Sequence, residues 1–269
     1  MNMTRPPRPW SELPAEQARS VVGVLTDIDD TLTTEGHITP EAMAALLALR
    51  HAHLPVIAIT GRPMGWSEPF ARSWPLDAIV AENGAVALFR DGDTLQVEYA
   101  QDPATREHNA RRLHEVAQRV LREVPGATCS QDSPGRVTDI AIDHSEFARL
   151  SPSQVEQVVR VMQQEGMNAT VSSIHINGWF GEHTKLTGAR WIVQRLLGRA
   201  LDDDTARWVY VGDSTNDQLM FGHFPLSVGV ANLMHFAAQL HTWPTYITRG
   251  ERGHGFAEVA HALVNSRAG

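Results

Sequence analysis

Asp27, Asp29 and Asp30 place three carboxylates within four positions, directly after an aliphatic run at 21–25. Like charges this close repel one another and resist desolvation, so a buried strand ending in them points to a bound cation or a catalytic pair rather than a solvated acidic turn. Polar residues recur where later strands are expected to end: Thr60 with Gly61 and Arg62, Asn83 before Gly84, then Asp213 and Asp217. Several carboxylates without a histidine or cysteine cluster suit a hard cation such as Mg2+, which prefers oxygen ligands. A threonine hydroxyl, glycine N–H groups and a lysine, here Lys185, suit a phosphate. Taken singly, Lys185 reads as a helix-start lysine, Thr60 as a cap and Asn83 as a turn residue. It is their convergence that gives them a task.

Convergence depends on the elements that carry them. Apolar runs at 21–25, 54–60, 78–81, 206–211 and 226–230 predict strands buried on both faces, and 40–49, 185–197 and 256–264 predict the helices between and after them. This alternation is that of an α/β fold, a doubly wound parallel sheet, in which ligands sit beyond the carboxyl ends of the strands. Between 87 and 179 the texture changes. A hairpin at 86–99 turns on Asp91-Gly92-Asp93, strands at 137–143 and 169–177 alternate, and helices at 103–124 and 153–165 carry one apolar face. The expected organisation is a core of 20–86 and 180–269, an inserted α+β cap of 87–179, and a flexible, proline-rich lead-in of 1–19.

The motifs DIDDT (27–31), ITGR (59–62), Lys185 and VGDSTND (211–217) resemble the four ordered motifs of the haloacid dehalogenase superfamily of aspartate-dependent phosphohydrolases. The position and pattern of the insert, with ENGA (82–85) and SVGVAN (227–232), are similar to subfamily IIB, the Cof-type branch of sugar-phosphate phosphatases with an α/β cap. Asp30 departs from the glycine common in that branch. The resemblance implies Asp27 as nucleophile, Asp29 as general acid and then base, and Thr60 and Lys185 as phosphate holders. It further implies Mg2+ held at Asp27, Asp29 and Asp213, with Asp217 as ligand or support. Gly61, Arg62 and Asn83 are expected near the substrate. Alternation puts Ser173, His175 and Asn177 on one face of a cap strand, and Ser173, His175 and Arg136 are the expected substrate contacts there. Alanine at these three should impair the true substrate while sparing a small phosphate ester.

The activity that the resemblance implies is hydrolysis of a small phosphorylated metabolite, with a sugar phosphate as the expected substrate class. The alternatives are a phosphomutase of the same branch, a phospho-signalling module or a non-catalytic binding protein. A net charge of −8 and a pI near 5.9 argue against nucleic acid or an anionic membrane as partner. The single Cys129 excludes an internal disulfide and fits a reducing cytoplasm. The first twenty residues lack a signal peptide's apolar core, no apolar run reaches membrane-spanning length, and a monomer or homodimer is expected.

Overall fold

The computed structural model describes residues 6–267. Its principal sheet has nine strands in the order Arg8–Pro9, Tyr246–Ile247, Leu226–Gly229, Trp208–Gly212, Gly23–Thr26, Val56–Ile59, Ala78–Ala81, Val86–Asp91 and Thr94–Tyr99. Pairing is parallel from the first of these to Ala78–Ala81 and antiparallel for the last two strands. Gly23–Thr26, Val56–Ile59 and Ala78–Ala81 are buried at every position. Helices cover both faces, which is why these strands read as unbroken apolar runs. Pro40–His51 and Arg252–Asn265 contribute Leu46, Leu49, Phe256 and Leu263 to one core. Lys185–Leu197 and Gln218–His223 contribute Ile192, Val193, Met220 and Phe221 to the other. From Gly23–Thr26 the chain first builds toward Val56–Ile59 and later returns on the opposite side at Trp208–Gly212. That reversal opens a crevice at the carboxyl end of the strand carrying Asp27.

A second sheet, Asn168–Val171, His175–Trp179, Asp139–Asp143 and Thr128–Cys129, is antiparallel throughout. Helices Pro103–Glu123 and Pro152–Gln164 pack on one of its faces through Leu113, Val116, Val120, Val158 and Met162 against Ile142 and Ile176. Among the described residues no helix is long and apolar enough to cross a membrane.

Three expectations need correction. The hairpin at 86–99 belongs to the principal sheet, because Val86 to Phe89 are buried and pair with Ala78–Ala81. The run at 169–177 is two strands, since the Ser172 hydroxyl accepts from the N–H groups of Ile174 and His175 (3.3 and 3.0 Å) and turns the chain back. The lead-in is docked over its described part: Arg8–Pro9 adds an edge strand beside Tyr246–Ile247, Trp10 is 1% exposed, and its ring meets Tyr246 edge-on at 5.4 Å. Residues 1–5 lie outside the described part.

One close approach sets where Lys185 stands. A Cβ on Gly188 would lie 2.6 Å from the Gly84 Cα, and one on Gly84 2.1 Å from the Thr184 carbonyl oxygen. The start of helix Lys185–Leu197 thus rests directly on the turn after Ala78–Ala81. Gly188→Ala gains about 1 kcal/mol in helix propensity but forces an overpacked contact costing about 3 kcal/mol, so a net loss near 2 kcal/mol is expected in urea unfolding. A neutral or stabilising outcome would mean that the helix shifts freely and is not what fixes Lys185.

Candidate active site

Asp27 follows Gly23–Thr26, and Asp213 follows the adjacent strand Trp208–Gly212. Carboxylate oxygens of Asp27, Asp213 and Asp217 lie within 4.8 Å of one another, and all three residues are buried. Lys185 Nζ stands 3.0 Å from Asp27 Oδ1 and 2.7 Å from Asp217 Oδ1. Asp217 has no acceptor capacity to spare. Its Oδ1 also accepts from the Tyr210 hydroxyl, and its Oδ2 accepts from the N–H groups of Asp213 (2.9 Å) and Ser214 (3.1 Å). A Cβ on Gly212 would lie 2.5 Å from that Oδ2, so the strand must end in glycine for Asp217 to fold back onto it. Asp213 is different: Asn232 donates to its Oδ2 at 3.4 Å, while its Oδ1 is buried without a partner.

Three buried carboxylates against one ammonium leave uncompensated negative charge. Burial pushes the Asp27 carboxyl up to about 7 despite Lys185 beside it. Burial, then Asp217 and Asp27, raise Asp213 well above the usual carboxylate range. Burial works against the Lys185 ammonium, yet Asp217 and Asp27 hold its pKa above the ordinary value. A deficit of positive charge beside an unpartnered carboxylate oxygen fits a divalent cation with oxygen ligands. Asp27 and Asp213 are the carboxylates with room for such a cation, and Asp217 fixes Lys185 and the 213–214 backbone.

Asp29 lies outside this trio. Its carboxylate takes Arg62 bidentately, from Nε at 3.0 and 3.1 Å and from Nη2 at 2.9 Å. Arg62 also donates to Glu146 (2.8 Å) and Asp132 (3.2 Å) of the second sheet's domain, so one core guanidinium joins the expected acid to the cap. Thr60 is buried, and its Oγ1 accepts from the Arg62 N–H at 3.0 Å. Asn83 takes a left-handed conformation (φ 55°) at the turn, and a Cβ on Gly61 would lie 3.4 Å from its amide. Asp30 is left-handed as well (φ 54°), which accounts for the glycine expected there, and it pairs with Arg252 at 3.1 Å.

A cavity of about 520 Å3 opens between core and cap, with Asp29, Asp213, Arg62, Ser173, Glu146 and Arg252 in its wall. Ser173, one of the expected substrate contacts, is in that wall. Arg136 and His175 do not line it. His175 is 2% exposed and bonds Glu146 through Nε2 at 2.8 Å. Arg136 is spent on Asp139 (2.8 and 2.9 Å), on Asp132 and on the Gly61 carbonyl (2.9 Å). Arg136 thus reaches from the cap to the core loop, whereas His175 stays against Glu146 within the cap.

Sequence reasoning passed over Asp132, Glu146, Asn232, Tyr210 and Glu82. Asn232 ends the quoted SVGVAN segment and was within reach. Glu82 is 0% exposed at φ 49° and accepts from the N–H groups of Met64, Val137 and Thr138 and from the Thr138 hydroxyl. As a lone acid beside Asn-Gly it carries no sequence signal beyond a turn.

Residues 24–121 match the family model described as haloacid dehalogenase-like hydrolase. No curated protein matches the chain. Among solved structures, a Thermoplasma acidophilum protein superposes with a TM-score of 0.69 at 14% identity, covering 91% of this chain and 99% of its own. The C-terminal domain of C. albicans trehalose-6-phosphate phosphatase gives 0.68 at 14% identity, covering 97% and 99%. The sucrose-phosphatase of Synechocystis sp. PCC6803, solved with sucrose and phosphate, gives 0.63 at 16% identity, covering 91% and 98%. At such identities these likenesses concern the fold.

Proposed function

We propose that the chain is a haloacid dehalogenase-like hydrolase, the family whose model matches residues 24–121, and within it a Mg2+-dependent phosphomonoester hydrolase acting on a small phosphorylated metabolite, a sugar phosphate, through an aspartyl-phosphate on Asp27. The observation that carries this reading is the buried Asp27–Lys185–Asp217 contact beside the unpartnered oxygen of Asp213, a residue that lines the cavity. Binding alone requires no nucleophile held against an ammonium.

In the first half-reaction Asp27 Oδ attacks phosphorus, a P–O bond forms to the carboxylate, and the bond to the leaving oxygen breaks. Asp29 supplies the proton that the leaving oxygen needs, then accepts one from the water that attacks the aspartyl-phosphate. Lys185, held by Asp217, and Thr60 hold phosphate oxygens and offset repulsion between an anionic nucleophile and an anionic substrate. Asp27 and Asp213 would hold Mg2+, which when bound would supply charge neutralisation of the phosphoryl group. A cavity of about 520 Å3 suits a phosphorylated mono- or disaccharide, and the sucrose- and trehalose-6-phosphate phosphatases of like fold support that substrate class.

A phosphate-release screen over phosphorylated sugars and glycerates should find turnover that a chelator abolishes and Mg2+ restores. Release that ignores chelator would exclude the cation. Transfer to a second position on the sugar, needing a bisphosphate activator, would establish the mutase instead.

A further inference from the structure

The cap reaches the phosphate loop itself. Arg136 Nη1 donates to the Gly61 carbonyl at 2.9 Å and Asn177 Nδ2 donates to the same oxygen at 3.2 Å. Both donors are fixed from behind by Asp139, which accepts from Arg136 at 2.8 and 2.9 Å and from Asn177 at 2.9 Å. The Arg136 side chain is 3% exposed and that of Asp139 0%. Two buried donors from one domain converge on a single backbone oxygen of the other, next to Thr60.

The remaining bonds of the loop show what this accomplishes. The Thr60 carbonyl accepts from the Asn83 N–H at 2.9 Å, which fixes the peptide between 60 and 61. The Arg62 N–H donates to Thr60 Oγ1 at 3.0 Å, and the Arg62 carbonyl accepts from the Glu82 N–H at 3.0 Å. Between these points stands Gly61, whose missing Cβ leaves its dihedrals free. The Gly61 carbonyl, held among the described residues only by the cap's two side chains, sets the peptide between 61 and 62. That peptide's N–H, of Arg62, is the donor to Thr60 Oγ1, which leaves the hydroxyl proton of Thr60 for a phosphate oxygen.

We propose that Arg136 and Asn177 are positioning residues for the phosphate loop: by holding the Gly61 carbonyl they fix the peptide between 61 and 62, and through the Arg62 N–H on Thr60 Oγ1 they aim the Thr60 hydroxyl toward a phosphoryl group, so the cap contributes to binding of any phosphate and not only to recognition of one leaving group. This rests on reading the site as a phosphatase. It reverses the expectation that Arg136 acts on the sugar alone. Docking of the cap does not account for the pair, because Glu82 already anchors the cap backbone at Val137 (3.1 Å) and Thr138 (2.6 Å).

The test compares Asn177→Leu with the double variant Arg136→Met/Asp139→Asn, which removes both buried charges together and leaves no unpaired carboxylate. KM and kcat are measured on para-nitrophenyl phosphate and on the best sugar phosphate, and inorganic phosphate is titrated calorimetrically in Mg2+ buffer, each corrected for folded fraction. Both variants should weaken inorganic phosphate and raise KM for both esters in parallel, by about 10- to 100-fold. Unchanged phosphate affinity with loss confined to the sugar ester would overturn the proposal, as would effects that vanish after correction for folded fraction. A wild-type protein that binds inorganic phosphate but hydrolyses no ester would refute the phosphatase reading while leaving the titration decisive for the loop. One that binds no inorganic phosphate would overturn both.

Discussion

Asp27→Asn is expected to lose turnover by at least about 10^4-fold while gaining stability in divalent-free buffer. The first effect follows from chemistry, because an amide of the same shape neither attacks phosphorus nor forms the aspartyl-phosphate. The second follows from the charge deficit. Burial raises the Asp27 carboxyl from an ordinary 3.8 to about 7. A carboxyl whose folded pKa lies above its unfolded value binds more protons when folded, so wild-type stability falls as pH rises from about 4 to about 7. Asparagine does not titrate. Its advantage over aspartate should therefore be small at pH 5 and reach about 2 kcal/mol or more at pH 8, read from urea unfolding with chelator present. Turnover within tenfold of wild type would remove Asp27 as nucleophile. A variant less stable than wild type at pH 8 would show that the buried carboxylate is compensated already, and the case for a cation there would fall with it.

Only part of that deficit was legible before any coordinates: Asp27 does end a run buried on both faces, but Asp29 and Asp30 beside it are met by Arg62 and Arg252, and Asp213 and Asp217 complete the uncompensated group. Sheet topology did the rest. Parallel strands bring their carboxyl ends to one rim, so Asp27, Thr60, Asn83 and Asp213 were assignable to a common edge from their positions alone. The cap side was not legible in the same way. Arg136 meets Gly61 across 75 residues, and Arg62 meets Glu146 across 84. No periodicity within a strand decides which face of one domain meets a loop of another. Alternation did group His175 with Asn177, but Asn177 meets the core loop at Gly61, His175 meets Glu146 of the cap, and neither lines the cavity. The break at Ser172 to Ile174 escaped because the turn uses serine hydroxyls and not glycine or proline. The prolines near the amino terminus spoke for mobility, although the buried Trp10 among them is the kind of residue that seldom remains in water.

Lys185→Met is expected to combine the largest stability loss with a large kinetic one, and the two should separate by pH and by Mg2+. The ammonium is buried against Asp27 and Asp217, with 3% of its side chain exposed. Removing one partner of a buried pair leaves its charge uncompensated, at a cost of about 3–5 kcal/mol. Here the loss leaves Asp27, Asp213 and Asp217 with no cation among them. The carboxyls can respond only by taking up protons, so the penalty should be mild at pH 5 and full at pH 8 when no divalent ion is present. Mg2+ held by Asp27 and Asp213 would bind the folded protein and not the unfolded chain. Addition to about 100 times its dissociation constant should therefore return about 2.7 kcal/mol, seen as a rise in Tm at pH 8. Turnover should not return with it, because one donor to the transferring phosphoryl group is still missing, a deficit of about 10^2- to 10^3-fold. Methionine tolerated at pH 8 without divalent ions would mean that Asp217 and Asp27 do not depend on the lysine. A Tm indifferent to Mg2+ in both proteins would mean that the unpartnered Asp213 oxygen does not mark a cation site.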